Sequence, residues 1–136
     1  MDRLTAILNH PATLVALGGA LGCNARYWLG RWVTSYEWGQ HFPWGTFLAN
    51  VTGAFFLGVL AVVLLERLTP SRRELHLLLG VGFCGGYTTF STFQYETFQL
   101  LRMGRTGAAL AYVLGSVLAG FVAVWLAVRL TEEELD

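Results

Sequence analysis

Gly82-Phe83-Cys84-Gly85-Gly86-Tyr87-Thr88-Thr89-Phe90-Ser91-Thr92-Phe93 is poor helix material set inside a stretch apolar enough to demand a helix. Two adjacent glycines followed by two threonines disfavour a continuous helix. The surrounding segment, about Leu75 to Leu101, exceeds the roughly twenty residues that cross a bilayer. A break inside a span is tolerated only where protein or water satisfies the freed backbone. Read in this way, the run interrupts a membrane span near its middle. It leaves the carbonyls of Gly85 to Thr88 unpaired, ready for a hard cation that prefers oxygen, and starts a second half-helix near Thr89. The competing reading is a packing kink or a glycine interface.

Three more segments of similar length flank this one: about Ala12–Val33, about Thr46–Leu65 and about Gly107–Leu130. The first carries Arg26 and Arg31, the second no charge, and the last none until Arg129. The composition agrees. Of 136 residues, 54% are apolar and only 13% charged, against roughly a quarter charged in soluble domains. Such a chain is neither disordered nor suited to be a water-soluble enzyme. Its formal net charge of zero offers no basic footprint, so nucleic acid is excluded as a partner. The expectation is an all-α integral membrane protein in a lipid bilayer. It has four transmembrane helices, the third broken, in a single domain over residues 1–136. The apolar run past Gly22 shows no cleavage site, so the first segment reads as a retained span.

Local signals punctuate these spans. Pro11 suits a first helical turn with Asn9 as its cap. Ser71 and Glu74 have capping-box spacing and open the third segment. Trp28, Trp32, Trp38 and Trp44 surround the first loop, as an interfacial aromatic belt would. Cys23 and Cys84 lack metal-site or disulfide spacing and read as small buried hydrophobes. Four spans put both termini on one side, with Arg3, Arg67, Arg72, Arg73 and Arg129 there and Arg31, Arg102 and Arg105 opposite. Counted by the positive-inside rule, that bias is small enough to leave insertion undecided, which would suit an antiparallel homodimer. Small residues at four-residue spacing, Gly18 with Gly22 and Gly115 with Ala119 and Ala123, permit close helix approach within or between chains.

Polar groups at membrane depth are costly and need partners. Arg26 can snorkel, pair with an acid, or draw an anion into a vestibule. Asn50 and Thr46 share a helical face, as do Tyr112 and Ser116. Glu96 can carry a proton, pair with arginine, or reach the interface, and sequence position favours the last. Phe90 and Phe93 also share a face. Their ordinary reading is core packing, but Ser91 and Thr92 lie between them and the break just before. Ring edges are positively polarised and can face an anion without a full charge.

These residues resemble a known family. Gly45–Gly58 is similar to the second-span motif of the Fluc fluoride channels (CrcB-like proteins). Gly82–Phe93 closely resembles their third-span signature, and Gly18–Tyr27 their first-span pattern. The resemblance runs over essentially the whole chain. It implies a dual-topology, antiparallel homodimer in the cell inner (plasma) membrane, with two fluoride pathways and a central structural sodium ion. It implies that Phe90 and Phe93 are pore phenylalanines, with Asn50 beside them. Ser91, Thr92, Tyr112 and Ser116 would form a polar track, and Arg26 would stand in a vestibule. Main-chain carbonyls of Gly85 and Thr88 from both subunits would bind sodium. Gly120, one turn beyond Ser116, stands where the family allows a further hydroxyl.

The implied activity is passive fluoride efflux, which would lower cytoplasmic fluoride. No nucleophile, acid–base pair or nucleotide loop is visible, so no enzyme is expected. Two other classes compete. A proton-coupled exporter of the small multidrug resistance type needs a glutamate in its first span, where this chain has Arg26. A non-transporting assembly subunit would account for glycine faces but not for Phe, Thr and Ser clustered at a break.

Overall fold

His10, not Asn9, opens the first helix. Its backbone is extended (φ −66, ψ 132), and its Nδ1 accepts the Ala12 N–H at 3.3 Å. Pro11 follows at the first helical position, where a missing N–H costs nothing. The computed structural model describes residues 7, 9–65 and 70–135. Helix α1 spans Pro11–Thr34. A short 3-10 turn, Glu37–Gln40, leads to α2 at Trp44–Leu60, which continues as a wider π-helical turn over Ala61–Leu65. Helix α3 covers Pro70–Leu75, a π-helical stretch follows over His76–Cys84, and α4 covers Gly85–Tyr87. Helix α5 spans Phe90–Arg102 and α6 Thr106–Leu135. The described residues contain no strand. Helix α3 begins at Pro70, one residue before the expected cap; the Ser71 side chain, Arg3 and Arg67 lie outside what is described.

Glycine spacing decides how the helices meet. Gly18 and Gly22 of α1 lie buried against the π-helical stretch. A β-carbon at Gly18 would collide with the Leu78 carbonyl, and one at Gly22 with the Phe83 carbonyl. From the other side, a β-carbon at Gly82 would come 2.9 Å from Gly18 Cα, and one at Gly86 2.5 Å from the Gly19 carbonyl oxygen. The two backbones touch directly, so the small-residue pair of the first segment is consumed inside the chain. Helix α2 packs along α6, where Gly58 meets Ala127 and Val124. Ala123 and Ala127 are buried there, while Gly120 faces open space.

Helices α2 and α6, taken over Trp44–Leu64 and Thr106–Glu134, are long and apolar enough to cross a membrane. Only 28% and 17% of their most apolar stretches are buried within the chain. Leu114, Val117, Leu118, Phe121 and Trp125 all project outward from α6. A helix apolar on all sides and covered on so few belongs in lipid or against another protein, not in water. Cys84 is buried as expected. Cys23 is instead exposed, because α1 turns its glycine face inward and Cys23 sits beside that face.

Candidate functional site

The helical rod ends one residue before Thr88, not at the glycines. Gly85–Tyr87 remain helical, Thr88 is extended (φ −88, ψ 158), and so is Thr89 (φ −153, ψ 125). Thr88 closes the first half through two bonds to the Cys84 carbonyl, one from its N–H and one from its hydroxyl, both 2.9 Å. Thr89 caps the second half by accepting the Thr92 N–H at 3.3 Å. A side-chain oxygen at this position satisfies one of the donors that every helix start leaves over.

Asn50 of α2 bridges the gap. Its Oδ1 accepts the Thr89 N–H at 2.8 Å, and its Nδ2 donates to the Thr89 carbonyl at 3.1 Å. The Asn50 Oδ1 replaces the acceptor that the break takes from the Thr89 N–H, while Nδ2 adds a donor to a carbonyl that, as the cap residue's, also takes the first bond of α5. That N–H left bare in an apolar medium would cost several kcal/mol. Gly53, one turn along α2, leaves the space that the Thr88 side chain occupies.

A cavity of about 300 Å³ opens beside the break, lined by Asn50, Thr88, Thr89, Phe90, Phe93 and Ser116, with Val117. The Phe90 and Phe93 ring centroids are 6.0 Å apart. They differ sharply in cover: Phe93 is 8% exposed and Phe90 72%. The Ser116 hydroxyl is buried without a hydrogen-bond partner.

One turn along α5, Glu96 is fully engaged. Thr46 donates its hydroxyl to Oε1 at 2.9 Å, and Tyr112 donates its hydroxyl to Oε2 at 2.7 Å. Tyr112 is completely buried, with Phe93 packed edge-on against its ring at 4.9 Å. Glu96, expected to reach the interface, has its carboxylate bonded to hydroxyls of α2 and α6 and so joins α2, α5 and α6. The signal available in sequence was its position three residues after Phe93 on the same helical face.

Arg26 faces the far side of the break. Its Nε donates to the Gly86 carbonyl at 3.2 Å, which removes one carbonyl from the set expected to be free. Arg26 also lines a cavity of about 460 Å³ with Cys23, Arg31, Thr46 and Glu96. Gly85 and Thr88 lie together on a further cavity of about 380 Å³, and a β-carbon at Gly85 would meet nothing. Carbonyl oxygens there are hard donors of the kind a small cation takes. The described residues hold no cluster of three or more His, Cys, Asp or Glu that would suit a softer metal.

The structure thus brings Asn50, Phe90, Phe93 and Ser116 to one cavity and Arg26 to the next. Tyr112 stands one turn from Ser116, behind Phe93. Ser91 and Thr92 do not line these cavities; their hydroxyls gather around the Thr89 cap at 3.4 and 3.2 Å.

The sequence also matches a known family. The family model described as CrcB-like protein, Camphor Resistance (CrcB), matches residues 13–128. A protein of Rhodococcus jostii (strain RHA1) named fluoride-specific ion channel FluC 2 is 50% identical over 118 residues, covering 87% of this chain and 96% of that protein. Relatives named fluoride-specific ion channel FluC include those of Solibacter usitatus and Thermus thermophilus. The first is 50% identical over 82% of this chain and 90% of its own length; the second is 45% identical over 86% and 90%. Matched from Thr13, in the first turn of α1, to Val128 in α6, the chain belongs to the CrcB-like family, a family of ion channels and not of enzymes.

Proposed function

We propose that this protein is a fluoride-selective channel that lets fluoride leave the cell passively across the plasma membrane. The observation that carries the reading is the cavity at the break. There the Phe90 and Phe93 rings, the Asn50 amide and an unpaired Ser116 hydroxyl converge without a full positive charge. The names of the relatives supply the ion. Fluoride must shed hydration to pass. The second Nδ2–H of Asn50 and the Ser116 hydroxyl replace water, and ring edges add weak positive potential. An anion held this lightly can also leave, which conduction requires. A narrow, rigid track excludes the larger chloride. Tyr112 continues the polar track beyond Ser116, Ser91 and Thr92 support it through the Thr89 cap, and Arg26 draws anions toward its cavity.

The working unit is an antiparallel, dual-topology homodimer in the inner membrane, each copy crossing four times, with two pores. Phe90 supports this reading, because its ring is left largely uncovered by its own chain. The main-chain carbonyls of Gly85 and Thr88 from both copies would hold a structural sodium ion, which when bound would tie the copies together. The deciding experiment reconstitutes purified protein in liposomes and follows fluoride and chloride release with electrodes. Fast fluoride release without chloride supports the channel. Intact dimers that release no fluoride would sink it.

A further inference from the structure

Two loops at one end of the molecule are tied by a single charged contact. Arg105 follows the turn that joins α5 to α6, and every step of that turn is hydrogen-bonded. Met103 N–H reaches the Gln99 carbonyl, Gly104 the Leu101 carbonyl and Arg105 the Leu100 carbonyl, at 3.0, 3.0 and 2.9 Å. Gly104 takes the left-handed conformation (φ 71) that such a helix end requires. From this fixed base, Arg105 Nη1 donates to the His41 carbonyl at 2.7 Å, 64 residues away. The next residue, Phe42, is pinned from the other side as well. Pro43 (φ −75, ψ 57) closes an inverse γ-turn in which the Trp44 N–H reaches the Phe42 carbonyl at 2.7 Å.

Phe42 is therefore held at both ends, and its ring packs edge-on against Tyr112, centroids 5.3 Å apart at 79°. Tyr112 is clasped between Phe42 and Phe93, with its hydroxyl on Glu96. A cavity of about 280 Å³ lies behind the clasp, running from Arg105, His41 and Gln99 to Glu96. We propose that Arg105 is a positioning residue: its bond to the His41 carbonyl holds Phe42 against Tyr112 and so fixes the Tyr112–Glu96 pair. Arg105 touches neither Tyr112 nor Glu96 in the bonds described; it acts through Phe42. The inference rests on the channel reading for its functional consequence, but not for its geometry.

The test labels position 112 alone with 3-fluorotyrosine in the full-length protein and reads its 19F resonance, with fluoride release measured in parallel. Arg105→Gln is expected to shift the resonance and lower fluoride release roughly fivefold, the loss of one net hydrogen bond. Phe42→Leu is expected to shift it similarly, and adding Arg105→Gln to Phe42→Leu to change little more. Arg105→Lys, which keeps a charged donor, is expected to restore much of both readouts. An unchanged resonance in Arg105→Gln, or full additivity of the two substitutions, overturns the proposal. If the unsubstituted protein releases no fluoride, the channel reading falls, while the resonance still decides the role of Arg105.

Discussion

Two ends of one polar line differ in how completely the chain satisfies them. At the Glu96 end, both carboxylate oxygens accept hydroxyls, Tyr112 is fully buried and aromatic rings close around it. At the Phe90 end, a ring stands 72% exposed, and the Ser116 hydroxyl is buried with nothing to bind. The same helices, α5 and α6, build both ends. A chain able to saturate one site has not run out of hydrogen-bonding groups at the other. The open end leaves a ring and a hydroxyl unengaged by their own chain, and the proposed second copy and fluoride would engage them.

The largest way to break this contrast is at its hinge. Asn50→Ala would strand the Thr89 N–H, at about 1–3 kcal/mol, and take from the Thr89 carbonyl a second bond worth about 1 kcal/mol. It is expected to collapse thermal stability in detergent, while Asn50→Asp, which keeps only the acceptor, should fall between. Next is the closed end. Glu96→Ala leaves the Thr46 and Tyr112 hydroxyls without their acceptor and should cost about 2–4 kcal/mol in a melting measurement. Glu96→Gln retains one acceptor oxygen and should cost less.

The phenylalanines sharpen the comparison further. Phe93→Ile should destabilise the protein by about 1–2 kcal/mol, since its ring packs on Tyr112. Phe90→Ile should cost less stability than Phe93→Ile, since its own chain leaves the ring largely uncovered, yet lower fluoride release. Unchanged release in both variants would return the rings to simple packing. Smallest is Ser116→Ala, which removes an unpaired buried hydroxyl. Stability should hold or rise by less than about 1 kcal/mol while fluoride release drops. A loss of stability there would mean that Ser116 has a partner, and the ends would no longer differ.

The sequence made the break legible but misplaced its cause. Gly85 and Gly86 are the weakest helix formers of the run, yet they stay helical. Gly86 serves proximity, because a side chain there would strike the α1 backbone. The threonines break the helix, each with a hydroxyl that finds a bond near the gap. Asn50 stands out as a polar residue at depth, but no periodicity reveals a partner 39 residues away. Glu96 is harder still. Its two partners come from α2 and α6, and only the packing of α5 between them brings three hydroxyl and carboxyl groups together. The π-helical stretches leave no mark in the hydrophobic pattern, since apart from His76 those segments are apolar on every side.

The interruption at Thr88 and Thr89 has an electrostatic consequence. A helix carries partial charge of roughly half a unit at each end, positive at its start and negative at its finish. By stopping one helix and starting another within two residues, the chain sets both poles beside the cavity at the break. The start of α5 turns positive potential toward Phe90, and the finish of α4 turns negative potential toward Gly85 and Thr88. Opposite fields, one suited to an anion and one to a cation, thus arise from a single gap in an uncharged segment.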